Sequence, residues 1–555
     1  MKILVIHKKY LILLLSILLL ASCQTNDNSF SKSDVLSAQK VIGLDMSEEV
    51  LDTVYAYLID NKEGYDSLRA YPIDNNVQPP LYFDPRPIGF QYPDFDESIE
   101  IDIDLDTEMP DNPEDLAFYP VTKLAGLIKS QKISSEELTG FFLDRLKKYN
   151  DTLECVITFT EDYALAQAKK ADELLANGTY LGPLHGIPYG VKDLFAFKGY
   201  NTTWGAAPYK DQRIDQTATV IQKLEDAGAV LIAKLVSGAL ARGDIWFGGK
   251  TKNPWDLEQG ASGSSAGSGS AMSAGLVGFS IGTETLGSIV SPANRNGVTG
   301  LRPTYGRVSK SGVMSLSWSM DKVGPLCRTA EDCALVLNTI YGYDKNDAST
   351  VDITLGANPK PLKDYKIAYL KADIDKDTTD AKGNNLKALE VFISMGFTLD
   401  SIELPKDIPY DGLDVILRAE AGAFFDDLVR SGDVDKMVQQ SQKSRANSLR
   451  QARFIPAVEY IQANRHRSVL IEKFHKLMAE YDVLIAPTFG GKQLFLTNLT
   501  GHPSICLPNG FDKKGRPTSI TLVGNLYDES SIINLAIAFQ DATEHEEKFP
   551  PMFSK

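Results

Sequence analysis

Residues 260–300 read GASGSSAGSGSAMSAGLVGFSIGTETLGSIVSPANRNGVTG. These 41 positions hold ten glycines and nine serines, one acid (Glu284), one base (Arg295), and no lysine or histidine. A flexible Gly/Ser linker would be polar throughout, yet Leu276, Val277, Phe279, Ile281, Ile289 and Val290 stand among the glycines. Small residues interleaved with apolar ones describe tightly packed backbone, where N–H groups can approach a ligand closely.

The flanking sequence sets the fold class. A helical pattern at Thr219–Leu224 stops at Gly228 and runs into the apolar stretch Ala229–Ala233, which reads as a buried strand. Similar runs recur at Lys366–Leu370, Val483–Ala486 and Ser519–Val523, with helical patterns between them. Ser134-Ser135-Glu136-Glu137 is a capping box that starts a helix bearing Leu138, Phe141, Phe142 and Leu146 on one face. Strands alternating with helices give an α/β fold layered around one large sheet. No internal repeat is present. Residues 408–480 are helical in pattern and rich in Arg and Gln, an insertion suited to shaping or covering a site.

Three ordered motifs then make the chain recognisable. Gly260-Ala261-Ser262-Gly263-Ser264-Ser265-Ala266-Gly267-Ser268, Gly282-Thr283-Glu284-Thr285-Leu286-Gly287-Ser288-Ile289 and Gly300-Leu301-Arg302-Pro303-Thr304 resemble the amidase signature family. Upstream, Gly186-Ile187-Pro188-Tyr189-Gly190-Val191-Lys192-Asp193 resembles that family's lysine motif, and Gly501-His502-Pro503-Ser504 and Leu522-Val523-Gly524 extend the likeness toward the C-terminus. The resemblance runs from about Tyr119 to Phe539. It implies one large domain, about residues 119–545 with a core at 180–330, built on a central mixed sheet covered by helices on both faces. It also implies an amide hydrolase with a Ser–Ser–Lys triad.

In that mechanism Ser288 is the nucleophile, Ser264 the bridging serine on a cis peptide bond, and Lys192 the general base. A serine hydroxyl needs a partner to take its proton, and a lysine accepts one only if its pKa falls far below ~10.4. The nearly uncharged 260–300 segment suits that demand. Backbone N–H groups of Thr285, Leu286, Gly287 and Ser288 form the implied oxyanion hole, and Ser265 supports Lys192 or positions the loop. Leu286 and Ala266 stand where the family usually has Gly, and a positive φ at Leu286 would be strained. The alternative that Lys192 merely pairs with Asp193 is disfavoured, because neighbouring side chains on an extended chain point apart.

Gly263-Ser264-Ser265-Ala266-Gly267 also satisfies GxSxG, the nucleophile elbow of α/β-hydrolases, with Ser265 as nucleophile. An elbow needs a strand before it, and residues 252–262 look turn-like. His502 is expected to pack or shape the pocket rather than act as a base.

The chain's ends and composition fix the setting. The sequence has 555 residues, 43% hydrophobic and 23% charged, with a net charge of -16. The acidic balance excludes a nucleic-acid footprint, and no CxxC or HxxxH spacing calls for a metal or other cofactor. Residues 1–22 carry Lys2, Lys8 and Lys9 before an apolar run from Leu11 to Ala21, too short to span a ~30 Å core and typical of a signal peptide. Leu20-Ala21-Ser22-Cys23 resembles the bacterial lipobox. It implies acylation of Cys23, a tether at 23–34, and a lipid-anchored protein of the cell envelope outside the cytoplasm. Residues 35–118 form an N-terminal extension, first helical, then Pro-rich around Pro79, Pro80, Pro85 and Pro87. Within it, residues 94–115 hold eleven acids, and Ile99, Ile101, Ile103 and Leu105 alternate with polar neighbours as in a half-exposed strand. Cys155, Cys327, Cys333 and Cys506 read as buried small hydrophobes.

Three functions compete on this reading. The leading one is an envelope amidase cleaving a small-molecule or peptide amide to acid and amine. The others are an amidotransferase A-type glutaminase subunit, which the signal peptide argues against, and a catalytically silent binding lipoprotein of the same fold.

Overall fold

A computed structural model of the chain describes residues 30–70, 77, 81–95 and 97–554, in two compact units that divide between residues 74 and 75. The signal segment 1–22, Cys23 and the prolines 79 and 80 lie outside the described residues. The first unit contains the helices Lys32–Val41 and Glu48–Arg69. Ser31 closes a capping box with Asp34, so helix begins inside the expected tether.

The second unit is built on an eleven-stranded sheet. In chain order its strands are β1 (Val156–Phe159), β2 (Pro188–Lys192), β3 (Val230–Leu235), β4 (Phe279–Glu284), β5 (Thr299–Arg302) and β6 (Lys322–Cys327). They continue as β7 (Ile367–Tyr369), β8 (Leu399–Ser401), β9 (Val483–Pro487), β10 (Ser504–Phe511) and β11 (Pro517–Gly524). The spatial order is β1-β3-β2-β4-β6-β5-β10-β11-β9-β7-β8. Pairs β3–β2 and β2–β4 are parallel, as are β9–β7 and β7–β8, and antiparallel strands join these two parallel patches. Central strands such as β3 (VLIAKL) are buried along their whole length, which is why the part before Lys234 appears in sequence as an unbroken apolar run. Helices flank the sheet. Ser135–Leu153 and Ala266–Ser273 pack on β2 and β3, while Ala381–Ser394 and Glu529–Thr543 pack on β10 and β11.

Two local expectations are corrected. Residues 99–105 do not form a strand: among the described residues the pairing nearby is the isolated bridge Ser98–Gly356. Ile99 is buried, and Ile101 and Ile103 pack against the core, so the alternation records one apolar edge laid along the body rather than a ladder. Conversely, the turn-like 252–262 contains a small hairpin of Lys252–Asn253 with Asp256–Gly260. Its strands are short and polar, and carry no period-two hydrophobic signal. The hairpin stands apart from the central sheet, so the strand an elbow requires is still missing. Residues 81–118, expected in the extension, belong to the second unit, with Leu116, Ala117 and Phe118 in its main core. The four described cysteines are buried and free, and Cys327 and Cys333 form no disulfide.

Candidate active site

Lys192 ends β2 and is completely buried. Asp193 turns the other way, to Lys234 of β3 at 2.7 Å and to the Thr203 N–H at 2.8 Å. Among the described residues no carboxylate lies within ion-pair distance of Lys192. Its Nζ donates instead to Ser264 Oγ and Thr283 Oγ1, each at 2.8 Å, and to the Thr283 carbonyl at 3.4 Å. Burial, opposed by the charges of Asp321 and Glu284, brings the lysine from 10.5 down to about 7.

The Gly/Ser segment supplies the other side. The Gly263–Ser264 peptide bond is cis, and a Cβ on Gly263 would fall 1.9 Å from the Gly243 carbonyl, so only glycine fits there. Ser265 precedes the helix Ala266–Ser273. Its Oγ donates to the Thr283 carbonyl at 3.2 Å and accepts from the Thr283 N–H at 3.3 Å, and its own N–H donates to the Ser288 carbonyl at 3.2 Å. Ser265 therefore fastens the Gly/Ser loop to the end of β4 and to the Ser288 turn, and among the described residues it makes no hydrogen bond to Lys192.

Thr285–Ser288 connect β4 to the helix Val290–Asn296. Gly287 has φ +80° and Leu286 does not lie at positive φ, so the strain that a positive φ would bring to Leu286 is absent. The Leu286 side chain packs beside the cluster that contains Leu413 and Leu417. Ala266 is likewise accommodated, as the first residue of its helix. The backbone N–H groups of Thr285 through Ser288 find no acceptor among the described residues, whereas the next two, Ile289 and Val290, donate to Glu284 Oε2 at 2.8 and 2.9 Å. Glu284 Oε1 accepts from Arg302 and Asn498, both at 2.8 Å. Burial alone would raise this carboxyl, but Arg302 and these donors hold it at about 2. Thr285 donates to Asp321 at 2.5 Å, and Asp321 also accepts the Leu316 and Ser317 N–H groups.

Ser288, Thr285, Leu286 and Gly263 open onto a cleft of about 350 Å³. Its other wall is the helical insertion, through Asp414, Leu417, Arg418, Arg445 and Ser448. The structure thus brings together every site residue singled out from sequence except Cys23, which is outside the described residues. The Lys192–Ser264 link is closed, while Ser264 Oγ and Ser288 Oγ share no hydrogen bond among the described residues. His502 packs edge-on to Phe474 and contacts Thr500, with burial bringing it down to about 3. Sequence reasoning missed Thr283, Asp321 and Arg445. Glu284 was visible as the lone acid of its segment, a signal that a buried carboxylate had a structural task.

A mixed sheet with a buried, unpaired lysine set against a cis Gly–Ser bond in a Gly/Ser loop is the arrangement of the amidase signature enzymes, which act on amide C–N bonds. The chain belongs to that family: the Amidase family model matches residues 137–494. The A-type subunit of the glutamyl-tRNA(Gln) amidotransferase of Oceanobacillus iheyensis is 32% identical over 487 residues, covering 78% of this chain and 98% of that protein. The structure is similar to the peptide amidase of Stenotrophomonas maltophilia, with a TM-score of 0.71, 27% identity, and coverage of 80% of this chain and 100% of that one. A bacterial aryl acylamidase, at 21% identity and TM-score 0.69 over 78% of this chain and 98% of that one, shares the fold.

Proposed function

We propose that this protein hydrolyses a carboxylic amide to acid and amine through an acyl-enzyme on Ser288. Lys192 takes the Ser264 proton, Ser264 takes the Ser288 proton, and Ser288 Oγ attacks the carbonyl. The relay runs backward to protonate the leaving amine, and water then repeats the sequence on the acyl-enzyme. The free N–H groups of Thr285–Ser288 receive the oxyanion, a contribution worth roughly 10²–10³ in rate per donor in other enzymes. The observation that carries this reading is a buried lysine with no carboxylate partner, 2.8 Å from Ser264 and poised near 7. Labelling by a fluorophosphonate, lost in Ser288→Ala, together with amine release from a panel of amides, tests it. An unlabelled protein that releases no amine would favour the silent binding lipoprotein.

The likeness to A-type amidotransferase subunits supports a second reading, a glutaminase that feeds ammonia to a partner. The two separate on one assay. Turnover of simple or peptide amides by the chain alone supports the first, and turnover of glutamine alone, dependent on added partner proteins, supports the second. The leader 1–22 and Leu20-Ala21-Ser22-Cys23 favour the first and put the enzyme on the envelope, anchored by lipid at Cys23. Among the described residues no helix is long and apolar enough to cross a membrane.

A further inference from the structure

A second cleft, of about 740 Å³, lies where the C-terminal ends of β9, β7 and β8 meet, through Thr488, Leu370 and Ile402. It shares no lining residue with the catalytic cleft. Open α/β sheets bind ligands beyond the carboxyl ends of parallel strands, and this volume is within the usual range for small-molecule sites.

The floor is polar and its hydrogen-bond polarity is fixed by a chain. Thr518 Oγ1 donates to Asn509 Oδ1 at 2.7 Å, and Asn509 Nδ2 donates to Asn385 Oδ1 at 2.8 Å. Asn385 is only 1% exposed and lines the cleft, and its own amide N–H₂ has no partner among the described residues. Asn294 repeats the pattern: its Oδ1 accepts from Ser519 at 2.6 Å, and its N–H₂ at the same cleft has no partner among the described residues. Both floor amides therefore present donors. The walls are apolar, with Leu404, Pro405, Tyr410 and Phe489 among them. At the rim, Lys376 has no ion pair among the described residues, whereas Lys406 and Lys492 pair with Glu403 and Asp411 at 2.5 and 2.7 Å. Asp373 and Asp377 also stand at the rim, Asp377 accepting the Thr379 N–H at 2.7 Å.

We infer that this cleft is a binding site for a small amphipathic carboxylate, its oxygens held by the Asn385 and Asn294 amides and its apolar body lying between Tyr410 and Phe489. Two outward donors on a floor with no outward amide acceptor disfavour an ammonium, and because the Lys376 charge at the rim is set against the Asp373 and Asp377 carboxylates, it is the floor that selects the carboxylate. The site is independent of the serine chemistry and is tested without turnover.

The probe is 4-phenylbutyrate, titrated by calorimetry into full-length Ser288→Ala protein, with phenethylamine and 4-phenylbutanamide alongside. Saturable binding of the carboxylate is expected, tighter than either comparison compound. Asn385→Asp keeps the bond from Asn509 but turns the outward donor into an acceptor, and is expected to weaken binding at least about tenfold, the scale of losing one charge-assisted hydrogen bond. Ala381→Trp, at the cleft wall, is expected to block it. No saturable binding, equal or better binding of the amine or the amide, or binding unaffected by Ala381→Trp would each overturn the proposal, the last by placing the probe elsewhere.

Discussion

At the scale of single residues the chemistry turns on one side chain having no carboxylate partner. Lys192 can serve as base only in its neutral form, and the fraction neutral rises as pH passes its value of about 7. The expected result is a kcat/KM that climbs with pH through one ionisation near neutrality and then levels, measured on any accepted amide. Lys192→Arg should be nearly inactive, because a guanidinium keeps its proton; substantial turnover by that variant would end the Ser–Ser–Lys assignment. Ser288→Ala should fall below a few per cent of wild-type turnover with its fold unchanged by circular dichroism. Ser265→Ala should keep measurable activity, since Ser265 fastens Thr283 and the Ser288 carbonyl from behind. If Ser265→Ala were the dead variant and Ser288→Ala the live one, the elbow reading would be right. The candidate serines and Lys192 were legible through the ordered motifs that resemble the amidase signature, and Lys192 does meet Ser264. Thr283 and Asp321 were not, because a threonine or aspartate that acts by burial looks like any other until the fold surrounds it.

Secondary-structure elements were legible where a pattern had a tertiary reason. The apolar runs at 229–233, 483–486 and 519–523 became β3, β9 and β11 because they are buried, and Ser134 and Glu137 close their capping box as written. Ile99–Leu105 failed because alternation reports which side faces the core and says nothing about whether a partner strand exists. The element that matters most for function is the turn from β4 into the helix Val290–Asn296, and Glu284 holds it. This carboxylate accepts from the first N–H groups beyond Thr285–Ser288, and Arg302 of β5 compensates its charge. Glu284→Ala would strand the Arg302 guanidinium, the Asn498 amide and two backbone donors in a dry interior. Breaking such a buried pair costs about 3–5 kcal/mol. A clear fall in Tm together with a loss of kcat is expected. A variant with unchanged Tm and kcat would show that the turn holds its shape without Glu284.

At the scale of the whole molecule, the sequence likeness covered the catalytic body well and its edges poorly. The sheet's second half, β7 to β11, could be read as strands but not ordered, since nothing local in Ile367–Tyr369 says that it lies between β9 and β8. Ahead of residue 119, Phe83 packs on Tyr305 with ring centroids 5.0 Å apart, and Arg467 lies over the Phe83 ring. Contacts of that separation leave no trace in composition. The proposed anchor and the proposed site fall on different stretches of the chain: Lys192, Ser264 and Ser288 all belong to the unit that starts at residue 75, whereas Cys23 precedes it in sequence. The two should therefore be separable by one substitution. Cys23→Ser, expressed in a lipoprotein-processing host, should move from the detergent phase to the aqueous phase, because it lacks the thiol on which the proposed acyl anchor would be built. Its kcat/KM toward a soluble amide should equal that of the wild type, since no group of the site is altered. Unchanged detergent partitioning would refute lipidation at Cys23. Lost turnover in a soluble, folded Cys23→Ser protein would refute the separation and make the membrane part of the catalytic arrangement.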